Sequence, residues 1–156
     1  MNRKLYFCKS WFRAKKHAIE MWTEEQAKAA HDAGQPYTVL VDSKDKPFCF
    51  IEVASNVVNV GFLDEFQREH LVYAFREVDK GRLFLSMATY RQFRDSTDNL
   101  AMGETYLFKV DGNVEISRTT FEPRKREVAQ NVVDVSGNYE AKPAFGEYEQ
   151  VIRVDR

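Results

Sequence analysis

Between residues 37 and 121 the chain is a run of short apolar segments separated by polar turns. None of the connections reaches the length of about a dozen residues that a parallel crossover needs. Strands joined this way pair antiparallel, so the spacing predicts a meander. Segments 37–42 and 47–53 flank Ser43-Lys44-Asp45-Lys46 as a hairpin, and 57–63 follows Ser55-Asn56. Segment 71–78 then places Leu71, Tyr73 and Phe75 on one face. Asp79-Lys80-Gly81 turns the chain into the longest strand, 83–93, and Asp111-Gly112 joins 105–110 to 114–121 as a hairpin. A last strand is expected near 132–135, before an irregular tail. Phe48-Cys49-Phe50-Ile51 and Leu83-Phe84-Leu85 are apolar on both faces, so the sheet is covered twice or curls around its own core.

Ahead of the meander, residues 5–12 are rich in aromatics (Tyr6, Phe7, Trp11, Phe12) with Lys9 and Ser10 interposed, and read as a strand. Residues 13–22 fit two periods. Ala18, Ile19 and Trp22 suit a helical face and Ile19 and Met21 alternate, with the balance towards helix. Thr23-Glu24-Glu25-Gln26 is a capping box, the alanines at 27, 29, 30 and 33 are strong helix formers, and Gly34 before Gln35-Pro36 ends the helix. The expectation is one domain over residues 1–156 of α+β class. Its sheet is mostly antiparallel, a strongly bent meander or partial barrel packed on one or two N-terminal helices.

Charge bounds the partners. With 23 Lys and Arg against 24 Asp and Glu the net charge is −1, which disfavours a nucleic-acid binder. The charge is polarised, however. The first 16 residues hold six basic groups and no acid, leaving 17 basic against 24 acidic residues, a net −7, in the rest. Arg3, Lys4, Lys9, Trp11, Arg13, Lys15 and Lys16 could grip a phosphate backbone and stack a base, although lysines deterring aggregation at a strand edge account for the same pattern. Arg124-Lys125-Arg126 reads as a solvated loop. No apolar run is long enough for a membrane helix or a secretory signal, and Cys8 and Cys49, each beside aromatics, read as reduced, packed thiols, so a cytoplasmic protein is expected.

No histidine lies at a metal-ligand interval from another histidine or a cysteine, and no signature of hydrolases, nucleotide enzymes or zinc proteases occurs, so neither a metal nor a cofactor is expected and the balance leans away from an enzyme. The most pointed polar cluster is Tyr90-Arg91-Gln92-Phe93-Arg94-Asp95, running into the loop 96–103. Alternation puts Tyr90 and Gln92 on one face and Arg91 and Phe93 on the other. Tyr90, Arg91 and Arg94, joined by Tyr139 and Tyr148 from the tail, form the expected binding surface, because Tyr and Arg are frequent interface anchors.

Through Gly81-Arg82-Leu83-Phe84-Leu85, Tyr106-x-Phe108-x-x-Asp111-Gly112, Asp134-Val135-Ser136-x-Asn138-Tyr139-Glu140 and Pro143-x-Phe145-Gly146-x-Tyr148 the C-terminal half of the chain, roughly Arg82 to Arg153, resembles small uncharacterised bacterial proteins of immunity type. The resemblance implies a shared fold and no catalytic residue. Three functions are ordered on these grounds. The first is a non-enzymatic protein-binding module, an immunity or antitoxin-like protein occluding a partner, with a homo-oligomer left open. The second is a small-ligand-binding or enzymatic domain using the concave face near Tyr90 and Arg91. The third is nucleic-acid binding through the N-terminus. An ordered polar pocket favours the second and a shallow aromatic surface the first.

Overall fold

A computed structural model describes residues 3–156. The apolar runs fold as strands, and turn chemistry sets their order. β1 (Leu5–Phe12) and β2 (His17–Trp22) form a hairpin, α1 (Glu24–Asp32) follows, and β3 (Tyr37–Val41), β4 (Cys49–Val53), β5 (Val57–Leu63), β6 (Glu69–Asp79), β7 (Arg82–Phe93), β8 (Leu100–Phe108), β9 (Asn113–Thr120) and β10 (Lys125–Val132) continue as a meander. The sheet order is β10-β9-β8-β7-β6-β5-β4-β3-β1-β2, every pair antiparallel. β11 (Tyr139–Ala141) pairs with the first residues of β7.

The expected α+β class is corrected. Among the described residues the protein is an open, eleven-stranded, antiparallel sheet with one nine-residue α-helix, and it is not a sheet packed on N-terminal helices. Residues 17–22 are strand, because β1 offers a ladder from Phe7–Trp22 to Phe12–His17, interrupted only at Glu20, and tertiary pairing overrides a weak helical period. The expected strand at 132–135 is displaced, since β10 occupies Lys125–Val132, and Lys125 and Arg126 open that strand where a loop was expected. The capping box is present as read. Thr23 Oγ1 accepts from the Gln26 amide at 3.1 Å and Gln26 Oε1 accepts from the Thr23 amide at 2.8 Å.

Both faces of β3 to β5 are buried, for two different reasons. On the first face Val39, Val41, Ile51, Val60, Phe62, Leu71, Tyr73 and Phe75 meet Ala27 of α1 and the segment 142–156, which contributes Phe145, Tyr148 and Val151. On the second face the far half of the β1–β2 hairpin, past the last β1–β3 pair at Cys8 and Thr38, lies across the sheet. Trp11 stacks on Phe50 at 6.0 Å, and beyond it Lys16 reaches Asp98 in the β7–β8 turn at 2.7 Å. Cys8 and Cys49 are separate, buried, free thiols, and burial pushes Cys8 up to about 11.

Phe50 lies flat on Gly61, where an added Cβ would stand 2.4 Å from Phe50 Cζ and 2.6 Å from Cε1. The ring cannot retreat, because Trp11 stacks against it and the Arg13 guanidinium lies 4.9 Å from its centroid. Gly61→Ala is therefore expected to destabilise the fold by roughly 1–3 kcal/mol in denaturant titration, and Phe50→Leu in the same chain is expected to recover part of that loss. A neutral Gly61→Ala would mean that the hairpin does not pin the ring.

Candidate functional site

β7 is long enough to serve two partners on one edge. Arg82 to Phe84 pair with β11, and Met87 to Phe93 pair with β8. The β6–β7 ladder steps from Phe75–Leu85 to Ala74–Met87, so Ser86 is an extra residue and the alternation restarts after it. Leu85, Ala88 and Tyr90 thus share the core-side face. After β10 the chain crosses back over β8 and β9 to reach β7. It passes close above Gly112, whose carbonyl accepts from the Val133 amide at 2.8 Å and where an added Cβ would stand 2.8 Å from the Val133 oxygen.

Beneath this crossing lies a cavity of about 420 Å³. Tyr73, Leu85, Ala88, Tyr90, Tyr106 and Phe108 form its apolar and aromatic walls, with Tyr90 edge-on to Tyr106 at 5.9 Å and Tyr106 stacked on Phe108 at 6.0 Å. Its polar members are Asp134 and Asn138 from the crossing and Arg156 from the end of the 142–156 segment.

Arg156 is the unusual member. Its side chain is 5% exposed, and its guanidinium lies 5.0 Å from the Phe75 centroid and 5.7 Å from that of Tyr73. Nη2 donates to the Gln150 carbonyl and approaches Glu140 Oε1 at 3.2 Å, but that oxygen is held more closely, at 2.5 Å, by Arg153. Nε and Nη1 are buried with no hydrogen-bond partner among the described residues. Burial pulls the group below the usual arginine range against the opposing pull of Glu140, yet a guanidinium stays protonated at neutral pH, so a buried cation with two unpartnered donors belongs to the residue that closes one side of the cavity. Around it, burial and then Tyr90 raise Tyr73, whose hydroxyl donates to the Val154 carbonyl at 2.9 Å. The Tyr106 hydroxyl donates to Glu104 Oε1 at 2.8 Å and, with Arg118, keeps that carboxyl low.

The expected binding set is scattered. Tyr90 lies on the cavity rim, 36% exposed. Arg91 faces the opposite side, as alternation requires, in a second cleft of about 240 Å³ beneath the hairpin tip, and donates weakly to the Glu69 carbonyl at 3.4 Å. Arg94 is structural, pairing with Glu122 and donating to the Phe121 carbonyl at 2.9 Å. Tyr139 packs on Phe84 at 5.1 Å beneath Arg82, and Tyr148 is core, its hydroxyl 2.8 Å from that of Tyr37. Of the basic N-terminus, Arg3 pairs with Asp42, Arg13 with Glu52 and Glu69, and Lys16 with Asp98, while Lys4, Lys9 and Lys15 are exposed. Trp11 is 3% exposed and offers no face to a base. Sequence reading passed over Tyr73, Tyr106 and Arg156, whose only signal was a Tyr or Phe at alternate strand positions and an arginine in an irregular tail.

No protein-family model, curated protein or solved structure matches this chain. Its chemistry is therefore read from its own residues. Among the described residues no group of three or more His, Cys, Asp and Glu side chains gathers as a metal site, and no helix is long and apolar enough to cross a membrane.

Near α1, His31 Nδ1, Tyr37 Oη and Tyr148 Oη form a hydrogen-bonded chain with both links at 2.8 Å. Burial is the largest influence on His31 and, with Lys142 and Lys28, outweighs Asp32 to hold the imidazole below its ordinary 6.5. The folded state therefore favours neutral His31, the unfolded state binds more protons below 6.5, and this contribution to stability is present above 6.5 and lost as the pH falls through the lowered folded value. His70, also lowered by burial, acts in the same sense. Urea titrations from about pH 7.5 to 5 are expected to show falling stability, with a shallower slope for His31→Gln. An unchanged slope in that variant would remove His31 from the account.

Proposed function

We propose that this protein binds a small organic carboxylate with an apolar or aromatic body in the cavity between β6, β7, β8 and the 134–138 crossing. The observation that carries the reading is an aromatic-walled cavity with Arg156 in its lining, a residue whose guanidinium is buried and has two nitrogens without a protein partner. A buried donor without an acceptor costs on the order of 1–3 kcal/mol, and more when charged, and a carboxylate removes that cost by accepting from it. The volume lies in the range of small-molecule sites, roughly 300–1,000 Å³. Two free, buried cysteines are consistent with a reducing, cytoplasmic setting for this activity.

Isothermal titration with 3-phenylpropionate and with the neutral 3-phenylpropanol tests the reading. The carboxylate is expected to bind and the alcohol to bind at least tenfold more weakly, and Arg156→Gln is expected to erase the difference. Equal affinities for the unchanged protein, or no binding of either compound, would contradict the proposal.

One observation favours a second reading, a protein partner of the immunity or antitoxin kind. All eight residues of β10 are exposed, its outer edge pairs with no strand among the described residues, and Val128 and Val132 are 50% and 69% exposed on one face of it. Such an edge can accept an extended strand from another chain. If it does, a protein that co-purifies from the native host with the unchanged chain is lost when Val128→Lys and Val132→Lys are combined. Equal recovery with both chains would exclude this edge.

A further inference from the structure

The outer edge of β10 can be followed bond by bond. Val133, the residue after the strand, donates to the Gly112 carbonyl at 2.8 Å, on the side of β9. Backbone groups alternate along a strand, so Asn131, Ala129 and Glu127 bond β9, and the N–H and C=O groups of Val132, Gln130, Val128 and Arg126 point away from the sheet. Among the described residues only the Val132 amide has a partner there, Asn131 Oδ1 at 2.8 Å. The edge is also unguarded. Its ladder with β9 runs without a bulge, no proline interrupts it, and its charges are confined to Lys125, Arg126 and Glu127. The opposite edge of the sheet differs, because β2 is broken at Glu20, which has a φ of +54° and no partner in β1.

A strand laid on this edge must match its charges and its bulk, and β10 matches itself in one register. Two copies related by a two-fold axis pair antiparallel with opposed residues on the same face, so the axis passes through one residue of each strand. Centring on Lys125, Arg126 or Glu127 sets a charge against itself. Centring on Val128 or Ala129 sets Val132 against Arg124 or Arg126, and centring on Asn131 or Val132 sets Val128 against Asp134 or Ser136, past the end of the strand. Centring on Gln130 opposes Val128 to Val132 on both sides of the axis and covers the two exposed valines. It also brings Arg126 level with Asp134 of the other copy, and neither has an ion-pair partner among the described residues. Val128, Gln130 and Val132 then make about six backbone hydrogen bonds across the axis, two for each opposed pair, with the Val132 amide exchanging Asn131 for a main-chain carbonyl.

Resting on the edge reading above, we infer that the extended strand this edge accepts is β10 of a second copy, paired antiparallel about Gln130, so that two sheets join into one.

Sedimentation velocity of the whole protein over a wide range of concentration, combined with cysteine cross-linking, tests this. The unchanged chain is expected to pass from monomer to dimer as its concentration rises. Val128→Lys combined with Val132→Lys is expected to weaken dimerisation at least tenfold without lowering the melting temperature of the dilute protein. Opposed Cα atoms of a hydrogen-bonded pair stand about 5.5 Å apart, within the reach of a disulfide. With oxidised glutathione, Gln130→Cys is therefore expected to give a covalent dimer and Val128→Cys to remain single, Cys8 and Cys49 being buried in both. A chain that is monomeric at every concentration, or a dimer that the lysines leave intact or that fails to cross-link through Gln130→Cys, would overturn the inference. If the inference falls, the edge reading still stands when a co-purifying protein is lost from the double-lysine chain, and it falls too when recovery is unchanged.

Discussion

The first face of the sheet is too apolar to meet water. Val39, Val41, Ile51, Val60 and Phe62 are fully buried there, and α1 supplies only one fully buried side chain, Ala27, to cover them. The segment 142–156 makes up the difference. Phe145 stacks on Phe7 at 5.2 Å, meets His31 edgewise and Tyr37 at a tilt, Tyr148 shares a hydroxyl bond with Tyr37, and Val151 is wholly buried. Burying side chains of this size stabilises by about 1.5–3 kcal/mol each, so a tail with almost no regular structure does the work that a second helix layer does elsewhere. Its course also sets the candidate site, because the strap that seals the core ends by laying Arg156 over Tyr73 and Phe75.

The second face depends on the hairpin in the same way. β1 continues past its pairing with β3, and Trp11 and Arg13 close over Phe50 while Arg13 pairs with Glu52 at 2.7 Å and Glu69 at 3.3 Å. Half of the basic N-terminus is thus internal electrostatics: Arg3 and Lys16 pair with Asp42 and Asp98, and the Arg13 guanidinium neutralises Glu52 of β4 and Glu69 of β6, while Lys4, Lys9 and Lys15 stay exposed.

The meander was legible because turn length and alternation are local. β5 falls on the expected residues 57–63, Asp111-Gly112 makes its turn, and apolar positions on both faces at Phe48–Ile51 and Leu83–Leu85 announced a sheet covered twice. What stayed hidden is non-local. No local signal at Ile19 and Met21 distinguishes a strand paired to β1 from a helix, since both side chains are exposed and the deciding ladder lies in the partner strand. Tyr148 carried the signal of a surface anchor, yet its burial rests on Tyr37, 111 residues away. The site shows the same division. Tyr90 was marked by position on a strand end, whereas the role of Arg156 depends on the path of the strap and on Glu140 being taken by Arg153.

The account makes residues 142–156 part of the folding unit, and native-state hydrogen exchange tests that most directly. The Val151 amide, which donates to Tyr148 at 3.1 Å, and the Glu147 amide, which donates to Ala144 at 3.0 Å, lie in turns that an unpacked tail would not protect. If the strap seals the core, the Val151 amide exchanges with an opening free energy close to that of Val39, Ile51 and Val60 in the central strands. Exchange of Val151 at the rate of an unstructured peptide, with those strands still protected, would contradict the account and leave Arg156 without a fixed place at the cavity.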